Sequence, residues 1–129
     1  MGITRGTKKG HIARAALEAI ALRSREIIVE MEKDSGTKFN KLKVDGGASN
    51  NDLLMQIQSN FLKTNVVRPK LTETTALGIA FLSGLASGFW SSLDELKNIW
   101  EIDREFLPEE DSNNETIINN WNSRIDKIQ

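Results

Sequence analysis

The residues of this chain best suited to binding chemistry lie together in Val44-Asp45-Gly46-Gly47-Ala48-Ser49-Asn50-Asn51-Asp52. Leu42 and Val44 read as the end of a buried strand, two glycines follow, and Asn50 opens an apolar helical face. Glycines at such a bend let a ligand approach the main chain with no Cβ in the way. Backbone amides ahead of a helix start are also free donors. A flat polar ring such as a nucleotide base suits that surface. The pattern is also that of a plain strand-to-helix turn with Asn51 starting the helix.

Other reactive side chains lack partners at useful spacing. Asp45 is a single carboxylate at a strand end, which suits fixing the glycine turn better than holding a metal. His11 is the only histidine and has no Asp, Ser or metal-ligand companion, so a helix-start position is expected. Arg14, Arg23 and Arg25 fall on a long helix and read as salt-bridged surface, whereas Arg5 lies in a loop and stays open as a phosphate contact. Thr4 to Thr7 has neither a preceding strand nor the Gly-x-x-x-x-Gly-Lys pattern of a phosphate loop. The acidic bias between Asp94 and Glu115 lacks calcium-loop spacing. Trp90, Trp100 and Trp121 read as core or interface anchors.

The elements that position the glycine loop follow from periodicity. Ala13, Ala16, Leu17, Ile20, Ile27, Ile28 and Met31 recur at helical steps from about Lys9 to Lys33, with Asp34-Ser35-Gly36 as the stop. Lys41 to Asp45 is a short strand, and Leu53, Leu54, Ile57 and Phe61 form one face of a second helix. Thr64 to Arg68 is β-branched and ends at Pro69, a second strand. Thr72 is placed to cap a third helix bearing Leu77, Phe81 and Leu85, which Gly88 stops. Gly78 and Gly84 inside that helix imply close packing on a neighbouring backbone or ligand. Ser92 with Glu95 suggests a capping box for a short helix reaching Trp100, and an extended piece covers Ile102 to Phe106. Pro108 begins an acidic linker, and Ser112 with Glu115 repeats the box ahead of a helix with Ile117, Ile118, Trp121, Ile125 and Ile128 on one face. The order is helix-strand-helix-strand-helix with extra C-terminal helices, an α/β arrangement with parallel strands.

Composition bounds the function. At 129 residues the chain holds one domain or part of one, with 39% apolar and 27% charged residues. Seventeen basic and 18 acidic side chains give a formal charge of -1, so no footprint for nucleic acid or an anionic membrane is expected. The absence of cysteine excludes disulfides and thiolate chemistry and suits a cytoplasmic location. No apolar run approaches the ~20 residues of a membrane span.

Hydrophobic-Asp-Gly-Gly-small-x-x-Asn followed by Leu54-Met55-Gln56 resembles the adenosine motif of the actin, Hsp70 and sugar kinase superfamily, in the form written by glycerol kinases of the FGGY carbohydrate kinase family. Gly2-Ile3-Thr4-Arg5-Gly6-Thr7 with His11-Ile12-Ala13-Arg14-Ala15-Ala16-Leu17-Glu18 resembles the back half of that family's second signature. Glu73-Thr74-Thr75-Ala76-Leu77-Gly78 through Gly88-Phe89-Trp90 resembles the helix that follows. The likeness runs from Gly2 to about Trp121. It implies an actin-like, ribonuclease H-like ATPase domain, with residues 1-129 an incomplete C-terminal part of the kinase's second domain and 108-129 a linker and terminal helix. It further implies that Gly47 and Asn51, flanked by Gly46 and Ala48, hold the adenine of ATP or ADP. The catalytic Asp, the glycerol pocket, the phosphate loops and the Mg2+ ligands are then expected in an N-terminal portion, with no catalytic or metal-binding residue in this chain and the chain alone inactive. Glycerol is the implied substrate of the complete enzyme and a homo-oligomer the implied assembly. Asp52 departs from the second Asn of many relatives. Another sugar kinase of the family, such as a xylulokinase, and a non-catalytic interaction module derived from a kinase are the alternatives.

Overall fold

The computed structural model describes residues 2–97 and 99–125. Five helices and three strands follow in the order α1 (Lys9–Ser35), β1 (Lys41–Lys43), α2 (Asp52–Leu62), β2 (Asn65–Pro69), α3 (Thr74–Ala86), α4 (Leu93–Lys97), β3 (Ile102–Phe106) and α5 (Ser112–Ile125), with a 3-10 turn at Gly47–Asn50. The α/β order expected from periodicity is present. Gly36 ends α1 in the left-handed conformation at φ 65°, and Gly88 at φ 77° ends α3. There the Phe89 amide donates to the Gly84 carbonyl at 2.8 Å and that of Gly88 to Leu85 at 3.2 Å, a Schellman closure.

The core is built on α2 and β2. Leu54, Met55, Ile57 and Phe61 from α2 meet Ala21 and Leu22 of α1, Val66 of β2, Phe106 of β3 and Ile118 of α5. Val66 and Val67 are both buried, so β2 is covered on both sheet faces. Ser59, fully buried, places its hydroxyl 2.9 Å from the carbonyls of Thr64 and Phe106, which satisfies it and joins α2 to β3. Trp121 of α5 donates its indole N–H to Glu26 of α1 at 2.5 Å, so the terminal helix is docked on the body of the fold.

The sheet differs from expectation. Its order is β1-β2-β3. β1 and β2 are parallel, with Leu42 opposite Val66, but β3 runs antiparallel to β2, with Val66 opposite Phe106. The chain returns to β2 from the far edge after α4, so parallel alternation ends there. β1 is not a buried strand either: it is an edge, with Lys41 and Lys43 exposed and Leu42 half-buried.

Several local assignments shift. Asn50 ends the 3-10 turn, and α2 begins only at Asp52 with Asn51 as its cap. Thr72 does not cap α3, whose N-cap is Glu73 with no side-chain bond. Glu95 accepts from the amide and hydroxyl of Ser91, one residue before the expected Ser92, and α4 ends at Lys97. Asp111, not Ser112, caps α5 through its carboxylate at 2.8 Å from the Asn113 amide, and Glu115 pairs with Lys63. Arg14 and Arg23 form the expected ion pairs, with Glu18 and Glu26; Arg25 instead donates to the Phe61 carbonyl at the end of α2, at 3.0 Å. On α1 the buried residues are Ala21 and Leu22, and Ile20, Ile27 and Met31 face outward. A Cβ on Gly84 would overlap the Trp90 indole, as close packing requires, whereas Gly78 has open space. Ile128 lies outside the described residues.

One charged side chain ties the sheet to the helical layer. Arg68 on β2 stands opposite Arg104 on β3, a like-charge pairing that destabilises a sheet unless neutralised. Asp52 at the start of α2 binds both, at 2.7 Å to Arg68 and 2.6 Å to Arg104, and Asp103 binds Arg68 at 2.7 Å. The Arg68 side chain is only 11% exposed. Its hydrogen bond to Asp52, helped by the Arg104 charge and opposed by desolvation, holds the Asp52 carboxyl below its ordinary value of 3.8.

Two outcomes follow. The unfolded chain binds a proton at Asp52 at higher pH than the folded one, so its contribution is complete above pH 3.8 and lost as pH falls through the lower folded value. Thermal unfolding of Asp52→Asn should therefore show a shallower loss of Tm with acid in that window than the parent; an unchanged slope would remove Asp52 from the stability balance. Ile57→Val, in the core, should cost roughly 0.5–1.5 kcal/mol in urea unfolding, whereas Ile79→Val, the same change on exposed α3, should stay within about 0.5 kcal/mol.

Candidate functional site

The glycine loop is held from beneath by backbone bonds and presents its outer side to solvent. Val44 donates to Val67 at 3.1 Å, which carries the β1 pairing to the loop's edge. Gly46 adopts φ 75°, a conformation that disfavours any residue with a Cβ. Its amide donates to the Thr72 carbonyl at 2.8 Å, and its carbonyl accepts from the amide of Ser49 at 3.1 Å and the Ser49 hydroxyl at 2.7 Å. Ser49 is buried. Its carbonyl in turn receives the Arg68 guanidinium at 2.9 Å. Asp45 accepts a hydrogen bond from the Thr74 hydroxyl, which ties the loop to the start of α3 rather than bracing the glycine turn through its own amides.

The outer side is open. Gly47 and Ala48 are exposed, and nothing lies within 4 Å of where a Cβ on Gly47 would sit. The amides of Gly47 and Ala48 donate to no described residue, as expected of the first donors of a helical turn. Asn51 donates its own amide to Ala48 at 3.2 Å, and its side-chain oxygen accepts from the Leu54 amide at 3.0 Å, the N-cap of α2. That bond engages the carboxamide oxygen and leaves Nδ2 with no partner among the described residues. Gly46, Gly47, Ala48 and Asn51 thus share one short loop that offers two free amides and one free carboxamide NH2, a set of donors suited to the ring nitrogens of a flat heterocycle.

The other candidates do not join this loop. His11 accepts from the Lys8 amide through Nδ1 at 3.2 Å, the helix-start position expected of it. Arg5 is exposed in the N-terminal segment. Trp100 lies under the Lys43 ammonium, 3.9 Å from ring centroid to nitrogen. Trp90 packs edge to face with Phe81 and Phe89. Arg68, Thr72 and Thr74 set the loop, a role not expected of them from a strand end, a helix cap and a motif position. A charge between Val67 and Pro69, directly after two buried valines, was the available signal for the first.

The model of the FGGY family of carbohydrate kinases, C-terminal domain, matches residues 1–87, which include the whole loop. Glycerol kinase 2 of Sulfolobus acidocaldarius is 52% identical over 126 residues, covering 97% of this chain and 25% of its own length. The glycerol kinase of Deinococcus radiodurans is 57% identical over 109 residues, 84% of this chain and 22% of its own. The chain therefore spans about a quarter of the length of these curated relatives. Among solved structures, Plasmodium falciparum glycerol kinase with ADP matches with a TM-score of 0.82 at 33% identity, over 98% of this chain and 26% of that one. A ligand-bound xylulose kinase from Lactobacillus acidophilus matches with a TM-score of 0.80 at 22% identity, over 99% and 26%, a likeness of fold alone. The mixed α/β unit is part of an actin-like kinase fold, and the chain belongs to the FGGY family of carbohydrate kinases, with residues 1–87 matching its C-terminal domain.

Proposed function

We propose that this chain forms the adenine-holding wall of an ATP-dependent glycerol kinase. The observation that carries the reading is the loop from Gly46 to Asn51, anchored underneath and unpartnered on its outer side, within a chain 52% and 57% identical to two glycerol kinases. The base lies against Gly47, where no Cβ stands in its way, with the Asn51 Nδ2 donating to a ring nitrogen and Gly46 and Ala48 completing the wall. In the reaction a glycerol hydroxyl gives up its proton to the catalytic Asp of the remainder of the kinase as its oxygen bonds to the γ-phosphorus of ATP, the bond from that phosphorus to the bridging oxygen breaks, and ADP leaves with glycerol 3-phosphate formed. This chain binds and orients the nucleotide. The Asp45 carboxylate is engaged by Thr74, and the catalytic Asp, the phosphate loops and the Mg2+ ligands belong to the remainder of the kinase.

That remainder is the partner the surface supports. Among described residues α3 is strongly apolar yet has none buried, with Ile79, Leu82 and the following Phe89 exposed. Among the described residues β1 forms one edge of the sheet, with no strand paired on its outer side. An apolar helix face and an open strand edge each suit a covering protein layer. In this reading residues 1–129 all belong to the second domain of a cytoplasmic enzyme. No described helix is long and apolar enough to cross a membrane. The xylulose kinase alternative has only likeness of fold behind it.

Titration of the chain with Mg-ADP, followed by nitrogen-proton NMR, tests the reading. Shifts should be confined to the amides around Gly47 and Asn51. Asn51→Asp keeps a capping oxygen for Leu54 but loses the Nδ2 donor, so it should stay folded and bind roughly tenfold more weakly. Mixing the chain with the N-terminal three quarters of the Sulfolobus acidocaldarius relative should yield glycerol-dependent ADP release from MgATP. A folded chain that ignores ADP both alone and in that mixture overturns the proposal.

A further inference from the structure

Asp45-Gly46 is the one step in the sequence where an acid or amide side chain stands before glycine. That step has a chemistry of its own. Glycine leaves its own nitrogen unshielded by a Cβ, so the nitrogen can reach back to the carboxyl of the residue before it. The Gly46 nitrogen then bonds to Cγ of the protonated Asp45 carboxyl, the amide proton and the carboxyl hydroxyl leave as water, and a five-membered succinimide closes. Water adds back to one of the two ring carbonyl carbons, and the bond from that carbon to nitrogen breaks. Opening at Cγ restores aspartate. Opening at the main-chain carbonyl leaves Gly46 linked through Cγ, an isoaspartyl bond that puts one extra carbon into the main chain. Nothing is oxidised or reduced, and water is the only co-reactant.

The fold keeps the two reacting groups occupied. The exposed Asp45 carboxylate accepts from the Thr74 hydroxyl, and the Gly46 amide donates to the Thr72 carbonyl at 2.8 Å. An amide proton engaged in such a bond is harder to remove, and a carboxylate held by Thr74 is not turned toward the nitrogen that must attack it. Both restraints come from one stretch, the start of α3. Its N-cap Glu73 makes no side-chain bond, and none of the helix's residues is buried by the described part of the chain. An element with so little buried contact opens locally more readily than the core. Conversion then has a fixed consequence for the loop. Val44 is bonded to Val67 at 3.1 Å on one side and Gly46 to Thr72 on the other, and an extra carbon between two held ends requires one of those bonds to break.

We propose that Asp45 is a site of spontaneous isoaspartate formation, held in check by Thr72 and Thr74 and released when the start of α3 lifts. The chemistry does not depend on whether the loop binds a nucleotide.

The folded chain, kept in neutral buffer at physiological temperature for weeks, is sampled by proteolytic peptide mapping with mass spectrometry and by methyl transfer from S-adenosylmethionine with an isoaspartyl methyltransferase. Isoaspartate should accumulate at Asp45, and more slowly than in the same chain unfolded in guanidinium chloride. Thr74→Val removes the hydroxyl and should speed conversion roughly fivefold, the effect of losing one hydrogen bond. Thr74→Ser keeps the hydroxyl and should convert at the parent rate. Asp34-Ser35, inside α1, reports general unfolding, and its conversion should be the same in all three chains. Circular dichroism verifies that each variant folds. A folded parent that converts as fast as the unfolded chain, a Thr74→Val variant no faster than the parent, or a parallel rise at Asp34 would each overturn the proposal.

Discussion

The Arg68 guanidinium is the constraint on which the loop and the sheet both depend. It sits in the central strand, nearly enclosed, facing a second arginine across an antiparallel pair. A charge so placed is tolerable only with its counter-ions in position, and removing one leaves an uncompensated cation close to the core. Asp52 supplies that counter-charge from the first turn of α2, Asp103 from the neighbouring strand, and the Phe106 ring lies within 5.4 Å of the guanidinium carbon. The remaining reach of the guanidinium goes to the Ser49 carbonyl inside the 3-10 turn. The placement of the glycine loop is thereby set by the register between β2 and β3 as well as by its own turn chemistry.

This arrangement explains what could be read from sequence and what could not. The helical period of α2, the β-branched run of β2 and the stops at Gly36 and Gly88 are local signals, and each produced its element. The antiparallel placement of β3 is a long-range pairing with no local mark in Ile102 to Phe106. The caps moved by one residue because Ser91 and Ser92, like Asp111 and Ser112, are neighbours of equal capping chemistry, and only geometry decides between them. On α1 the periodicity was correct, but a helix with two apolar stripes does not say which one meets the core, and the more regular stripe is the exposed one. Type and spacing mark Gly46, Gly47, Ala48 and Asn51 as a strand-to-helix turn, and only the resemblance to the family's motif assigns them to a nucleotide base. Arg68 and Asp52, which hold them, are separated in sequence by a whole helix and look like ordinary surface charges.

α3 carries the argument one step further. Its first residues are wired to the loop, through Thr72 to the Gly46 amide and through Thr74 to Asp45. Its last turn is fixed by Gly84 against Trp90, with Phe81 and Phe89 set edge to face on the same indole. Between these two ends lies an apolar cylinder with open space at Gly78, none of whose residues is buried by the described part of this chain. Any layer that covers α3 gains free energy by removing its apolar surface from water, and it does so on an element hydrogen-bonded directly to the loop. Covering α3 and ordering the Gly46 turn are therefore linked, since a displacement of the helix start must move the Thr72 carbonyl or break its bond to Gly46. The α3 side of this chain thus acts on the loop through hydrogen bonds.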